Sequence, residues 1–386
     1  MKFTVPVQTI IGPISQVASI CTTNASNPDD LTQFVLFYVT KERLTLVGTD
    51  NTVQLKAEIP LPEDACQKEG SFLMLATKAK DFFKNLGTHD DVSFEIKDDE
   101  DEVLNVISSQ ARYSIRIHST TDDQFLPSFD EDFKEEKQVS FKIEENKLLY
   151  MIDKSLFCAS RDNFQEFFKG VRFEIRGDEL SVFALDGHRM AALDVRLEER
   201  PVEDISFLMT LRGVSELQKL LTSSKTDKLE LVVSSSFVNV NISCFSITNR
   251  LLKCSFPAVR SILPKQFSPE VVINVEELKT YVKRVSFFSN KRLGLINLVF
   301  SQNSLGLHSQ NSDHEIAAAR LDIPFDDDHR EINLNADYLL NFLSAIEAPE
   351  VVFCFAPPYN NTLLRPVNEI NEMGIRVRYV VSHIMV

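Results

Sequence analysis

The 386-residue chain is 44% hydrophobic and 25% charged, the balance of a soluble globular protein, and its length suits two to four domains better than one core. Its formal net charge of −15 excludes a simple basic nucleic-acid binder that grips phosphate, but not a protein that is basic on one wall only. No apolar run approaches the ~20 residues that span a bilayer, the start Met1-Lys2-Phe3-Thr4-Val5-Pro6 lacks a signal-peptide layout, and six cysteines without CxxC spacing (Cys21, Cys66, Cys158, Cys244, Cys254, Cys354) read as reduced thiols of a cytosolic protein.

The first third opens on a strand from Lys2 to Val5 and a helix from Val7 to Cys21, in which Ile10, Ile11, Ile14, Val17, Ala18 and Cys21 share one stripe. A hairpin from Leu44 to Pro60 turns at Asp50-Asn51. A helix from Thr77 to Leu86 follows, with Gly87 just past its end, then a strand from Val92 to Ile96. The acidic run 98–102 reads as a solvated turn.

The middle third repeats this order. Val139 to Ile143 is a strand, Glu145 to Ala159 a helix, Val214 to Leu221 a second helix and Leu229 to Val233 a further strand. Its hairpin runs from Glu179 to Leu197. Leu180, Val182 and Ala184 alternate as in a half-buried strand, Asp186-Gly187 breaks the pattern as a turn, and Met190, Ala192 or Leu193, Val195 and Leu197 return. The last third has a strand from Val271 to Val275, a helix from Glu276 to Phe288, a hairpin from Leu305 to Phe325, a helix from Ala336 to Ile346 with Asn335 or Asp337 near its cap, and a strand from Val351 to Phe355.

Three units of roughly 125 residues therefore share strand, helix, hairpin, helix and further strands. The joints fall in the acidic stretch Ser119 to Lys137 and in the proline-bearing stretch Leu263 to Pro269. The expected domains are 1–130, 138–264 and 265–386. The fold class is α+β, with amphipathic helices packed on antiparallel sheets. Repeats joined end to end curve, and a head-to-tail contact closes a ring when the rotation divides evenly.

Asp186, Gly187, His188 and Arg189 at the central turn admit a bland reading as solvated turn residues. A catalytic Asp–His pair is the sharper reading, and would make the chain an α+β enzyme using Asp186, His188 and Arg189. Against it, neighbours in a tight turn rarely face each other, and no Ser or Cys nucleophile is placed nearby. There is no GxxxxGK[ST], GxGxxG or GxSxG; His314-Glu315 lacks the second His of HExxH, and Asp326-Asp327-Asp328 reads as an exposed turn. No cofactor and no metal site is expected.

The run Ala184-Leu185-Asp186-Gly187-His188-Arg189-Met190-Ala191 resembles the "TDGHRLA" hairpin of the bacterial sliding clamp family, the β subunit of DNA polymerase III. Met1-Lys2-Phe3-Thr4-Val5 matches the family's opening. Phe167 to Glu174 resembles "YLNGMLFE", Phe256 to Lys265 resembles "FPDYRRVLPK", Ser286 to Lys291 is similar to "AILSNEK", and Arg378-Tyr379-Val380-Val381 matches a "YVV" run. The resemblance covers essentially the whole chain. It implies three clamp domains with helices lining the inner face and sheets outside, in a ring-forming head-to-tail homodimer around duplex DNA. The implied function is a non-catalytic processivity factor. The implied partners are the replicative polymerase alpha subunit, a clamp-loader complex, repair polymerases, ligase and mismatch-repair proteins. A three-domain relative that does not encircle DNA is the other reading the resemblance leaves open.

The resemblance also assigns residues. A partner-peptide pocket takes Phe168, Leu185, Gly187, His188, Arg189, Met190, Pro257, Ile262, Tyr359 and Asn361, with the tail Val380, Val381, Ser382, His383, Ile384, Met385 and Val386. An apolar groove with a few polar rim groups suits a short peptide with Leu and Phe anchors. The tail departs from the family's Met-Pro-Met-Arg-Leu ending, and Ser261 stands where Arg is common. The dimer contact falls on Phe287 and Phe288 against Tyr113 and Ile115. DNA would be met by Lys78, Lys80, Lys84, Lys147, Lys154, Arg161, Arg212, Lys219, Lys279, Lys283 and Arg284, while the helix from Val7 to Cys21 carries no Lys or Arg.

Overall fold

Each third of the chain folds into two four-stranded half-sheets and two helices, all strand pairs being antiparallel. The computed structural model describes residues 1–23, 27, 30–86, 91–97, 102–108, 111–118, 129–263 and 268–385. In the first third, one half-sheet is Lys2–Pro6, Asp91–Glu95, Val103–Ile107 and Arg112–Arg116, with the short Cys66–Lys68 beside Lys2–Pro6. The other is Gly70–Leu75, Phe34–Val39, Arg43–Thr49 and Val53–Pro60. The middle third gives Val139–Glu144, Lys228–Val233, Phe237–Ile242 and Phe245–Arg250, then Ile205–Thr210, Gly170–Arg176, Glu179–Leu185 and Arg189–Arg196. The last third gives Glu270–Asn274, Glu350–Phe355, Asn361–Pro366 and Arg376–Ser382, then Arg330–Asn335, Leu295–Ser301, Ser304–Gln310 and Ile316–Asp322.

Successive thirds are joined by one rule. Val53–Pro60 pairs with Phe245–Arg250, Lys56 opposite Ser246, and makes one eight-stranded sheet. Arg189–Arg196 pairs with Arg376–Ser382, Met190 opposite Val380, and makes a second. The chain accordingly groups into two compact units, 1–145 with 215–251, and 146–214 with 252–386. The middle third is divided between them. Arg112–Arg116 in the first unit and Ile316–Asp322 in the second are each paired on one side only, as are the other end strands of the sheets.

The helices bury the stripes their spacing dictates. Val7–Ile20 buries Val7, Ile10, Ile14, Val17, Ala18 and Ile20 against its sheet. Gly48 lies so close that a Cβ there would stand 2.7 Å from the Val17 carbonyl oxygen, so only glycine fits. Val275–Ser286 and Ala336–Ala345 start on Asn274 and Asn335, whose side chains accept from the Glu277 and Tyr338 amides at 3.0 Å. With no Trp and 29 Phe, the cores are built on stacked phenyl rings such as Phe3–Phe94 at 4.8 Å and Phe37–Phe72 at 4.6 Å.

Three sequence expectations need correction. The helix expected from Glu145 to Ala159 stops at Asp153, and a 3₁₀ turn, Leu156–Cys158, follows. Ser155 Oγ donates to the Met151 carbonyl at 2.7 Å, which takes up an acceptor near the helix end. The acidic joint holds a helix, Phe129–Glu135, anchored by the buried Phe129 ring 5.2 Å from Phe237, with Arg250 over both rings. The central hairpin is buried on both faces, not one: Leu180 to Leu185 and Met190 to Val195 are all buried. Gly87 and most of the acidic run lie outside the described residues.

Among the described residues no helix is long and apolar enough to cross a membrane, and no group of three or more His, Cys, Asp or Glu could hold a metal ion. All six cysteines are free thiols. Burial pushes the Cys21 and Cys354 thiols up to about 12, so neither is a nucleophile at neutral pH.

Candidate functional site

The central hairpin turns where Gly187 adopts φ +96°, a conformation that suits glycine. A Cβ at Gly187 would also meet the Phe168 ring at 3.3 Å, so the glycine doubles as a seat for that ring. Asp186 builds the turn. Its Oδ1 accepts from the amides of His188 and Arg189 at 2.9 and 3.0 Å, and its Oδ2 accepts from Arg189 Nε at 2.9 Å. The Arg189 guanidinium lies 4.3 Å from the Tyr338 ring centroid and 5.6 Å from that of Phe157. His188 is exposed, with its ring 6.3 Å from that of Tyr338. Both carboxylate oxygens of Asp186 are thus engaged by the turn and by Arg189, and the Asp–His pair of a hydrolytic site is not formed.

Beside the turn lies an apolar cluster. Phe183, Leu185, Met190, Ala192, Val259, Val352, Cys354, Leu363 and Val380 form it, and Phe168, Phe256, Leu263 and Val272 pack on it, partly exposed. Cross-strand register explains the grouping: Leu185 faces Met190 and Met190 faces Val380, so the three side chains lie in a row on one sheet face. Pro257 is half-buried, and Ile262, 39% exposed, caps the 3₁₀ turn Val259–Ser261 at the edge of the cluster. Alternation along the strand puts Arg189 and Val381, which pair with each other, on the opposite face. Val381 therefore lies on the face that carries Arg189, and Val380 on the face of the cluster.

The tail is tied in three places. Ser382 N donates to His188 O at 2.8 Å, His383 N to Asn360 O at 2.9 Å and Ile384 N to Asn333 O at 2.8 Å. Asn361 pairs with Ser382. The His383 ring Nε2 is 2.7 Å from Thr362 Oγ1. Burial is the main cause that holds this imidazole below its usual value, with a bond to the Tyr359 backbone opposing it and the Arg330 charge assisting. Tyr359 is 43% and Met385 88% exposed, while Val386 lies outside the described residues. The structure thus brings Leu185, Met190 and Val380 into one row with Phe168 packed on it and ties Ser382 to His188, and it sets Val259 and Leu363 in the same cluster and Phe157 and Tyr338 beside Arg189. Sequence reading missed these four because each reaches the hairpin from a distant part of the chain and carries no local signal.

The other expected residues lie elsewhere. Phe287, at the end of Val275–Ser286, is 83% exposed, and Phe288 stands edge-on to it at 5.2 Å, half-buried. That helix packs on Ile316–Asp322, an end strand of its sheet. In the other unit Tyr113, 38% exposed, and Ile115 sit on the unpaired strand Arg112–Arg116. Tyr113 meets Phe82 edge-on at 5.1 Å and borders a cavity of about 320 Å³ lined by Lys78, Asp81, Phe82, Asn85 and Leu86.

Of the expected DNA-facing cations, Lys78, Lys80, Lys84, Arg161, Arg212, Lys283 and Arg284 are exposed, and Lys147 partly so. Lys219 bonds Glu216 at 2.8 Å and Lys279 lies 3.6 Å from Glu276. Lys154 is corrected: its side chain is only 15% exposed, bonded to Glu347 at 2.6 Å and set 5.2 Å from the Tyr150 ring, so its charge is already matched.

Three family profiles match the chain: the DNA polymerase III beta subunit N-terminal domain over residues 1–126, the central domain over 142–258 and the C-terminal domain over 260–376. The beta sliding clamp of Haemophilus influenzae is 26% identical over 364 residues, 94% of this chain and 95% of that protein. The beta sliding clamp of Escherichia coli is 25% identical over 351 residues, 91% and 92% of the two chains. A crystal structure of the Pseudomonas aeruginosa DNA polymerase sliding clamp superposes with a TM-score of 0.89 over 100% of both chains at 23% identity. The chain belongs to the DNA polymerase III beta subunit family, the sliding clamps, which are non-catalytic processivity factors.

Proposed function

We propose that two copies of this chain join head to tail around duplex DNA in the cytoplasm, and tether a polymerase by enclosure. The carrying observation is the joining rule of the sheets. At both internal junctions the last strand of one third's second half-sheet pairs antiparallel with the last strand of the next third's first half-sheet. The strands left over by that rule are Ile316–Asp322 and Arg112–Arg116. Pairing them between two copies continues the pattern and removes both open edges. Phe287, at the end of the helix packed on the first of these strands, is then the aromatic anchor available to the cavity beside Tyr113 on the second.

The hairpin site supports docking of short partner peptides. Phe168, Phe256 and Leu263 lie partly exposed on the Leu185–Met190–Val380 row, and Tyr359, His188 and the tail surround it with polar groups. The replicative polymerase alpha subunit, a clamp-loader complex, repair polymerases, ligase and mismatch-repair proteins are the partners this reading assigns to it. The exposed lysines and arginines on the helices supply weak, sequence-independent phosphate attraction, which suits sliding.

The test is retention on DNA. Protein loaded on nicked circular DNA is expected to stay through a gel-filtration run in salt, to be lost when the circle is linearised, and to be kept when the ends are blocked by bound protein. Equal retention on open and blocked linear DNA would refute enclosure.

A further inference from the structure

We infer that a cavity at the opposite end of the strand Arg376–Ser382 from the hairpin site is a second docking site, and that it takes a segment of a partner protein in which an arginine is flanked by aliphatic residues. The cavity measures about 600 Å³, within the range of ligand-binding pockets. Arg376 pairs with Asp194 at its end of the strand and Val381 with Arg189 at the other, about 17 Å apart at strand rise. The two sites are therefore separate. Tyr150, Pro349, Pro366 and Val377 give the cavity an apolar floor, and the loop between Asn361–Pro366 and Arg376–Ser382 forms one wall. That wall is already built. Asn371 Oδ1 accepts from the amides of Met373 and Ile375 at 3.0 and 2.9 Å, Val377 N donates to Glu369 O at 3.2 Å, and Arg376 Nε lies 3.2 Å from the Glu369 carboxylate. A preformed wall lowers the ordering cost of binding.

Charge decides what the cavity takes. Its lining carries the carboxylates of Glu347, Glu369 and Glu372, and no Lys, Arg or His. Lys154 matches Glu347 at 2.6 Å and Arg376 matches Glu369, which leaves Glu372 with no ion pair and no hydrogen bond among the described residues. The site is short of one positive charge, and its acids repel phosphate, so DNA is not the occupant. Beside Glu372, Ile370 is 52% and Val367 36% exposed, and Met373 is half-buried. Exposed aliphatic side chains next to a charged cavity mark a surface that a protein partner covers. A free small cation would answer the charge and leave Val367 and Ile370 wet, whereas a chain segment covers them with the residues beside its cation. Arginine suits the site better than lysine, because its planar fork takes a carboxylate through two hydrogen bonds while its stem lies on an apolar floor.

The test uses the full-length chain and a fluorescein-labelled peptide with Leu-Arg-Leu at its centre and Gly and Ser around it. Fluorescence anisotropy compares it with the same peptide carrying citrulline, the neutral isostere, in place of arginine. The arginine peptide is expected to bind about tenfold tighter, the scale of one charge-assisted hydrogen bond, and the preference should shrink as salt rises. Glu372→Gln is expected to bring the ratio to about one. Glu63→Gln, the same loss of charge on an exposed turn of the other unit, should leave it unchanged. Ile370→Lys, at an exposed position that the fold does not depend on, should abolish binding by setting a cation beside Glu372. Equal binding of the two peptides overturns the inference, as does no binding of either up to about 1 mM. A preference that survives Glu372→Gln would belong to the diffuse negative charge of the chain, and overturns it as well. Arginine amide binding as tightly as the peptide would make the occupant a free small cation and not a protein segment. Because the main comparison changes the peptide, it does not depend on how a variant folds.

Discussion

The carboxylate of Asp186 and the guanidinium of Arg189 meet across the central turn at 2.9 Å, with side chains only 11% and 13% exposed. The same carboxylate holds two backbone amides, so the turn and the stacking of Arg189 on Tyr338 stand or fall together. Asp186→Ala is expected to lower unfolding free energy by about 2–3 kcal/mol, the scale of removing one partner from little-exposed charged hydrogen bonds. Denaturant titration measures the stability, and binding of a labelled peptide with Leu and Phe anchors should weaken. A change below about 0.5 kcal/mol, the range of neutral surface substitutions, would mean that the turn holds without it.

Phe287 is the aromatic side chain to change in the proposed dimer contact, because it is the exposed member of the pair. Phe287→Asp should leave thermal stability intact, since little of the ring is buried within its own chain. It should also halve the mass seen by light scattering, from twice 43.9 kDa to one copy. A variant that keeps the doubled mass would move the interface elsewhere.

Salt dependence separates the cations that meet phosphate from those already matched. Replacing Lys78, Lys80 and Lys84 with Ala is expected to flatten the dependence of DNA affinity on salt by about one unit of slope for each phosphate no longer neutralised. Lys154→Ala is expected to leave the slope unchanged, because Glu347 neutralises that charge in the folded chain. A drop with Lys154→Ala equal to that of the exposed lysines would contradict this division.

His383 should make stability depend on pH. Its folded value lies below the ordinary 6.5, chiefly through burial, so the neutral ring is the form the fold accepts. That contribution is complete above the ordinary value and is lost as pH falls through 6.5 toward the lowered one. Denaturation midpoints followed from about pH 8 to pH 5 should decline in the parent chain and decline less in His383→Asn. Identical profiles would show that the ring is not held neutral.

Much of this was legible beforehand because it is local. The strand–helix–hairpin order, the helical stripes and the Asp186-Gly187 turn follow from spacing and turn chemistry, and the matching segments point to the clamp family. Two features were not legible, because each depends on residues far apart in sequence. The central hairpin reads as half-buried since nothing near Leu180 or Met190 announces that the 3₁₀ turn Leu156–Cys158 packs against its strands. Lys154 reads as a free cation since Glu347 is distant in the chain.

The division of the middle third has a consequence for what that segment would do alone. Cut from its neighbours, it would carry Phe245–Arg250 and Arg189–Arg196 as two bare, mutually complementary edges. With neither edge covered, fragments of it would be expected to add to one another as fibres. In the whole chain the flanking thirds cover both of these edges, and neither is left to recruit a neighbour.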